Sequence, residues 1–229
     1  MRKTFFKIKL KLVIFYNKLN SIINKEKSFK KAFDLNYQNK LWGMDGKDSL
    51  SGGGSNIERA INFQKILLEY INNNNVENIF DCSCGDWNWM KDISSNFKNY
   101  IGVDYSDTVI KMNSKFSSDK IKFKVGDCES HLVDSSLIFD ICILRHTIGH
   151  LPTHKNLSIL NAIKLKSKSL IIESSSIEDN YNLTFDGVSA RPINLLKEPY
   201  FELLGEPTFF YPETENSSTK IFIYKFNNL

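Results

Sequence analysis

The sequence predicts one α/β domain built on a largely parallel sheet and preceded by a basic arm. Three observations lead to this prediction. The chain has 229 residues, 41% of them hydrophobic, and a single core keeps growing until roughly 250–300 residues. Short apolar runs alternate with segments of helical periodicity, which is typical of strands joined by crossover helices. Lysine and arginine are concentrated at the start of the chain.

The first 40 residues are predicted to form the arm, and residues 41–229 the domain. The arm has eleven basic and two acidic residues, a formal charge of +9 within a chain that carries +4, so the domain carries −5. Between Phe5 and Leu19, apolar residues recur among the lysines at the spacing of an amphipathic helix. The longest apolar run, Leu12 to Tyr16, is too short for a membrane span of roughly 18 residues. It is also too short for a signal peptide, which needs roughly 7–15 residues.

The domain begins with a loop and a helix. The segment from Trp42 to Ser55 is rich in glycine and serine and has no periodicity, so it is predicted to be a linker or a lid. A helix is predicted from Ile57 to Ile71, where apolar residues recur at helical spacing. Ser55 or Asn56 can cap this helix, and a run of four asparagines follows it.

Five strands and three further helices are predicted from the alternation that follows. The strands are Val76–Asp81, Tyr100–Asp104, Ile121–Val125, Ile138–Leu144 and Ser169–Glu173. The helices are expected near Trp87–Ser95, Ser106–Phe116 and Lys155–Leu165. Two late β-rich runs, Thr208–Tyr211 and Ile221–Phe226, predict a closing antiparallel pair. The segment from Ser174 to Pro207 has little periodicity, and loops of this length often carry function.

The residues after each strand are the candidate binding residues, because ligands of such sheets bind outside the carboxyl ends of the strands. The loop after the first strand has neither the GxGxxG spacing of dinucleotide sites nor a P-loop, which argues against NAD and ATP. Gly85 lets the backbone approach a ligand closely. Asp81 or Asp86 can receive an ammonium group.

The next two strands also end in acidic residues. Asp104 can accept both hydroxyls of a ribose, and Asp127 with the backbone of Cys128 can meet the edge of an adenine. Each aspartate alone is typical of a helix cap or a turn. Together, at successive strand ends, they predict a nucleoside ligand with an amino-acid tail.

These motifs, in their order and spacing, resemble the class I S-adenosylmethionine-dependent methyltransferases. More narrowly, they resemble a bacterial and viral group with an SG-x-GS loop, a D-x-P-C-G-D-[FW]-N-W-M loop and an RD-x-L-x-HL motif. Members of that group are often associated with surface-saccharide biosynthesis, including capsule modification. Here the motifs read SGGGS at Ser51–Ser55, DCSCGDWNWM at Asp81–Met90 and RHTIGHL at Arg145–Leu151, and the resemblance covers residues 41–226.

The resemblance implies a fold, a cofactor and a site. The fold is a three-layer Rossmann-like α/β fold with a mostly parallel seven-stranded sheet and an antiparallel C-terminal strand. The cofactor is S-adenosylmethionine, with a saccharide or other small molecule as the methyl acceptor. We expect His150 to be the general base and Arg145 or His146 to orient the acceptor. The residues expected to bind the cofactor are Trp42, Ser51, Asp81, Gly85, Asp86, Asp104, Tyr105, Asp127 and Cys128.

The sequence departs from the group at two positions. Ser83 replaces a proline, which a loop tolerates, and His146 replaces an aspartate beside the expected reaction centre. We expect this histidine to be largely neutral near pH 7 and able to donate a hydrogen bond, so it alters either the substrate or the activity. His146, His150 and His154 have the spacing of helical metal ligands, but Pro152 interrupts such a helix and no metal site is predicted.

Two other functions remain open. The basic arm favours an RNA methyltransferase, although the sequence lacks the Asn/Asp-Pro-Pro-aromatic motif of enzymes that methylate amino groups of DNA, so nucleic acid is the less favoured partner. The change at His146 favours a non-catalytic relative. The four cysteines form neither a CxxC pair nor a disulfide framework, so a cytoplasmic location is expected. We expect the arm to pack on the domain, with contact to an anionic membrane as the alternative. No feature of the sequence sets an oligomeric state.

Overall fold

A computed structural model describes residues 27–43, 49–180, 190–215 and 217–226. The predicted helix between Phe5 and Leu19 lies outside these residues. The elements are α1 (Lys27–Gln38), α2 (Ile57–Asn73), β1 (Asn78–Cys82), β2 (Asn99–Asp104), α3 (Asp107–Asn113), β3 (Ile121–Val125), α4 (Cys128–Val133), β4 (Ile141–Leu144), α5 (Thr153–Lys166), β5 (Ser169–Ser175), α6 (Tyr200–Leu204), β6 (Phe209–Pro212) and β7 (Thr219–Lys225). Short 3₁₀ helices span Leu41–Gly43, Gly53–Ser55, Met90–Asn96, Ser114–Phe116 and Ile148–His150.

The seven strands form one sheet in the order β3-β2-β1-β4-β5-β7-β6. Strands β1 to β5 run parallel, and β7 runs antiparallel to both of its neighbours, β5 and β6. This architecture confirms the predicted fold class and the closing antiparallel pair. The strand order reverses at β1, which pairs with β2 on one side and β4 on the other, and ligands of α/β sheets bind at such a point.

The central strands are buried on both faces, so helices must cover both sides of the sheet. Alternate residues of β1 illustrate this arrangement: Ile79 packs into one apolar cluster with Leu67 of α2, and Phe80 packs into the other with Leu160 of α5. Within the ranges described, no helix combines the length and the apolarity needed to cross a bilayer.

Two predicted elements differ from the structure. The helix expected near Trp87–Ser95 is a 3₁₀ helix that starts only at Met90, because Trp87 has a φ of 56° and its buried ring packs against Tyr100. The fourth strand starts at Ile141 instead of Ile138. The carboxylate of the preceding residue, Asp140, accepts hydrogen bonds from two backbone N–H groups at the start of β1, each at 2.9 Å.

Helix α1 lies within the segment predicted as the arm, and one carboxylate makes two of the hydrogen bonds that hold it to the domain. Asp34 accepts hydrogen bonds from the hydroxyl of Ser106 at 2.7 Å and from the backbone N–H of Thr108 at 2.9 Å, both at the start of α3. On the same helix, Phe33 and Tyr37 face the carboxyl ends of the strands. The boundary at residue 40 stays a prediction.

We expect Asp34→Ala to loosen α1. Losing hydrogen bonds to a carboxylate costs about 1–3 kcal/mol, so the backbone amides of α1 should exchange roughly tenfold faster or more. Hydrogen exchange with mass spectrometry measures this rate, and Lys31→Ala, an exposed position on the same helix, is the matched control. Equal exchange in the two variants would show that Asp34 does not hold the helix.

Candidate active site

A cavity lies at the carboxyl ends of β1, β2 and β4, where the strand order reverses. This first cavity has a volume of about 80 Å³. Its lining residues come from α1, the loop before α2 and the three strand ends: Phe33, Tyr37, Trp42, Ser51, Ser55, Asp81, Ser83, Cys84, Gly85, Trp89, Asp104, Tyr105, Arg145, His146, Thr147, His150 and Leu151. Most of the residues that the sequence selected therefore come together.

Asp81 places a buried carboxyl group at the end of β1. Its Oδ2 accepts a hydrogen bond of 2.6 Å from the hydroxyl of Tyr100. Burial raises the pKa of Asp81 to about 7, although the hydrogen bond from Tyr100 acts in the opposite direction. A carboxyl group whose ionisation is held back in this way gains most from a ligand that brings a positive charge.

Asp104 and Gly85 bring the ends of β2 and β1 together. Asp104 accepts hydrogen bonds from the backbone N–H groups of Gly85 at 3.1 Å and of Ser106 at 3.0 Å, and burial raises its pKa to about 6. Gly85 has a φ of +58°, and a Cβ there would lie 2.5 Å from the hydroxyl oxygen of Ser51. Glycine is therefore required both by the backbone conformation and by the close approach of the serine loop.

Asp86 does not line the first cavity, although the sequence selected it as a cofactor residue. Its carboxylate accepts hydrogen bonds from the hydroxyl of Ser49 at 3.1 Å and from the backbone N–H of Leu50 at 2.6 Å. Its own N–H donates to the hydroxyl of Ser51 at 2.8 Å, and that hydroxyl also shares a hydrogen bond of 2.9 Å with Tyr37. Asp86 therefore fixes the loop that the sequence predicted as a linker or a lid.

Asp127 and Cys128 do not reach the first cavity either. The Asp127 carboxylate caps α4 through the N–H of Glu129 at 3.0 Å and forms an ion pair with Lys155. The Cys128 side chain is buried in the apolar core. The adenine contact assigned to this pair stays a prediction.

Aromatic side chains cover the first cavity. Phe33 stacks on Tyr105 with ring centroids 6.3 Å apart, and Trp42 packs against His150 at 5.5 Å. The enclosed volume is far below the roughly 300–1,000 Å³ of small-molecule sites, so these covering groups must move when a ligand binds. Phe33 and Tyr37 were not predicted as site residues, although two aromatic residues four positions apart near the end of the basic segment were a usable signal.

A second cavity of about 460 Å³ adjoins the first. The two share the residues Trp42, Ser51, His146 and His150. The second cavity has further polar side chains, including those of Arg59, Ser174, Ser175, Arg191 and Thr219, and the backbone of the glycine-rich loop. The long segment after β5 contributes Arg191 and Ile193 to its wall.

Five charged residues form a cluster between the cavities, which we call the charged cluster: Arg59, Arg145, His146, Glu173 and Glu213. Arg145 Nε donates to Glu173 at 3.0 Å, and its guanidinium carbon lies 5.3 Å from the ring centroids of both Phe63 and Trp89. Glu213 pairs with Arg59 at 3.0 Å. Arg145 is thus buried and held within the cluster, and it lines only the first of the two cavities.

The surroundings of His146 favour its charged form, whereas the sequence predicted a largely neutral histidine. Burial alone would lower its pKa, but the charge of Glu173 and contacts with both glutamates raise it above the ordinary value. The same contacts, together with Arg59, lower the pKa of Glu213 to about 2 against the effect of burial. Neither Glu173 nor Glu213 was predicted as a site residue. Glu173 ends a predicted strand, which was a usable signal, whereas Glu213 gave none.

The side chains of His146, Glu173 and Glu213 are potential metal ligands, with the donor atoms within 4.8 Å of one another. Their carboxylates, however, already pair with the guanidinium groups of Arg145 and Arg59. A divalent cation would have to share two carboxylates with two guanidinium ions, which Coulomb repulsion opposes. The donor set does not suit a metal ion. That the reaction needs no metal stays a prediction.

Residues 80–164 match the family described as "Methyltransferase domain". An S-adenosylmethionine-dependent methyltransferase from Anabaena variabilis is 15% identical, with a TM-score of 0.59 over 86% of this chain and 94% of that one. The N-methyltransferase NodS from Bradyrhizobium japonicum, solved with S-adenosylhomocysteine, is 12% identical, with a TM-score of 0.60 over 84% and 98%. Magnesium protoporphyrin IX methyltransferase from Synechocystis, solved with S-adenosylmethionine, is 11% identical, with a TM-score of 0.55 over 73% and 80%.

No curated protein matches the chain by sequence. The structural likenesses, at such low identity, show the fold. The domain match, over residues 80–164, supports a methyltransferase.

We expect the buried carboxyl group of Asp81 to make stability depend on pH. Its pKa is about 7 in the folded protein and about 3.9 in the unfolded chain, so wild type loses stability as the pH rises from 4 to 7. Asp81→Asn keeps an acceptor for Tyr100 and cannot ionise. The stability of this variant relative to wild type should therefore increase over that range, by on the order of 1 kcal/mol per pH unit.

Urea unfolding at pH 4, 5.5 and 7 measures this dependence. Asp119→Asn, at an exposed aspartate, is the control and should follow wild type. If the difference in the free energy of unfolding between wild type and Asp81→Asn does not change with pH, Asp81 does not have a raised pKa.

Proposed function

We propose that the protein transfers the methyl group of S-adenosylmethionine to an oxygen atom of a saccharide or of a saccharide-linked group. The pair of adjoining cavities carries the proposal. Molecules in the two cavities would meet at the shared residues Trp42, Ser51, His146 and His150. Methyl transfer is an in-line displacement, and holding two reactants in contact supplies much of its acceleration.

The residues of the first cavity suit the cofactor. Asp81 can accept hydrogen bonds from its ammonium group, and Asp104 from its ribose hydroxyls, while Gly85 allows the backbone to approach closely. When bound, the cofactor supplies a methyl group on a positively charged sulfur, which is a good leaving group. The covering side chains of α1 and Trp42 exclude water from this cavity.

The residues of the second cavity suit a hydroxylated acceptor. Ser174, Ser175 and Arg59 offer hydrogen-bonding groups, and Trp42 offers a flat apolar face. The resemblance to a group associated with surface-saccharide biosynthesis favours the same class of acceptor. The solved relatives include an N-methyltransferase, so the oxygen acceptor rests on these residues and on that resemblance.

His150 is the proposed general base. It lines both cavities, and an imidazole accepts a proton readily near neutral pH. The acceptor hydroxyl would give its proton to His150 as its oxygen forms the new bond to the methyl carbon. Arg145 is a positioning residue, because it holds Glu173 and does not line the second cavity.

Methylation of RNA is the second candidate, and the +9 charge of residues 1–40 favours it. RNA binding that weakens steeply between 50 and 200 mM salt, together with methyl transfer to RNA, would replace the saccharide proposal. Cofactor binding without transfer to any acceptor would instead indicate the non-catalytic relative.

We expect S-adenosylhomocysteine to bind with micromolar affinity and Asp104→Ala to weaken this binding 100-fold or more. The ribose would lose two hydrogen bonds to the carboxylate, each worth about 1.5–3 kcal/mol. Calorimetric titration measures the affinity, with Asp119→Ala as the matched control and thermal melting as the test of folding. A folded wild-type protein that binds no S-adenosylhomocysteine would contradict the proposed function.

We expect His150→Gln to reduce kcat by about 10²–10⁴, because general base catalysis contributes that factor. Release of S-adenosylhomocysteine in the presence of a panel of saccharides measures turnover, and calorimetry shows whether cofactor binding is retained. His131→Gln is the control, because His131 contacts the backbone oxygen of Val125 outside both cavities. Equal turnover in the two variants would remove His150 from the mechanism.

A further inference from the structure

We infer that the second cavity takes its acceptor through an anionic group, a carboxylate or a phosphate, and that His146, protonated at neutral pH, gives the cavity wall its positive charge. This inference rests on the proposed function, because it names the class of acceptor for the same site. Three observations carry it: the surroundings of the imidazole ring, the charge of the cluster and the exposure of its members.

Both ring nitrogens of His146 face carboxylate oxygens. Nδ1 lies 3.0 Å from Oε2 of Glu173 on β5, and Nε2 lies 3.3 Å from Oε1 of Glu213, in the loop between β6 and β7. These are ion-pair contacts and not aligned hydrogen bonds, because Nε2 and both carboxylate oxygens lack a hydrogen-bond partner. Two carboxylates within 3.3 Å of one ring attract its protonated form and not its neutral form. The geometry therefore favours His146 as a cation and not as a general base.

The charged cluster then has more positive than negative groups. Arg59 from α2, Arg145 at the end of β4 and His146 face Glu173 and Glu213, which leaves a net charge of +1. The other nearby carboxyl group, Asp81, bonds to Tyr100 and under the proposed function binds the ammonium group of the cofactor. Aspartate at position 146, as in the group that the sequence resembles, would leave the cluster with a net charge of −1.

Two of the three cations of the cluster are partly exposed, whereas its anions are buried. The side chains of Glu173 and Glu213 are 3% and 0% exposed, whereas those of His146 and Arg59 are 31% and 45% exposed and line the second cavity. Glu173 also lines this cavity, but its carboxylate is almost inaccessible, so the accessible charge of the cluster at the cavity is positive. A ligand with a negative charge gains from this arrangement, and a neutral ligand does not.

The glycine-rich loop holds the ring in this orientation. A Cβ on Gly54 would lie 2.4 Å from Cδ2 and 2.5 Å from Nε2 of His146. Any side chain at this position would displace the imidazole from Glu213. The loop thus packs against one part of the ring, and the carboxylates fix its nitrogens.

The test compares three probes on the full-length protein saturated with S-adenosylhomocysteine: glucuronate, glucose 6-phosphate and glucose. Saturation-transfer NMR and calorimetry measure their binding. At least one anionic probe should bind about tenfold more tightly than glucose, and the stronger of the two identifies carboxylate or phosphate as the group recognised. Equal binding of all three, or binding of none, would overturn the inference.

Variants test the source of the charge. His146→Gln and Arg59→Gln should each weaken the anionic probe about tenfold more than they weaken glucose, and His146→Asp should weaken the anionic probe further. Lys65→Gln, an exposed position on the same helix as Arg59, is the matched control. Variants of His146 that retain anion binding would contradict its role.

The protonation of His146 is measurable in the wild-type protein, which removes dependence on variants that fail to fold. The imidazole Cε1–H signal should keep the chemical shift of the charged form at pH 7.5, and affinity for the anionic probe should fall once the pH rises through the pKa of this ring. A ring that is neutral at pH 7 overturns the inference.

The cofactor provides the separate readout for the proposed function. If S-adenosylhomocysteine binds and the three probes bind with equal affinity, the proposed methyltransferase function stands and the anionic acceptor is rejected. If the protein selects the anionic probes but does not bind S-adenosylhomocysteine, the anion site stands and the methyltransferase function is rejected.

Discussion

The parallel alignment of β1, β2 and β4 is the constraint on which the site depends. Parallel strands end at the same edge of a sheet, so a polar residue at each carboxyl end is brought to one place. Asp81, Asp104 and Arg145 stand at or just after these ends, and all three are buried. Burial in turn raises the pKa values of the two carboxyl groups and makes a complementary ligand favourable.

Burial of charge also accounts for the form of the charged cluster. An isolated buried carboxylate is costly, and it persists only when several donors surround it. Glu173 forms ion pairs with Arg145 and His146, and Glu213 forms ion pairs with Arg59 and His146. The histidine thus connects two carboxylates that come from separate parts of the chain. Its environment determines its charge, and its charge determines what the adjoining cavity can hold.

The covering elements connect the basic segment to the site. Asp34 fastens α1 to the start of α3, directly after Asp104 and Tyr105 at the end of β2. Phe33 on the same helix stacks on Tyr105. Helix α1 is therefore part of the wall of the first cavity, although it lies outside the alternating strand and helix pattern of the domain.

The fold class and the residues at the strand ends could be predicted from the sequence, because apolar periodicity and strand-end polarity are local properties of the chain. The same local patterns identified Asp81, Gly85, Asp104 and His150, which the structure brings to one cavity. The roles of Asp86 and Glu213 and the charge of His146 could not be predicted in this way. Each depends on a partner between 36 and 67 positions away, Leu50 for Asp86 and Glu213 for His146, and no local pattern encodes such a pairing.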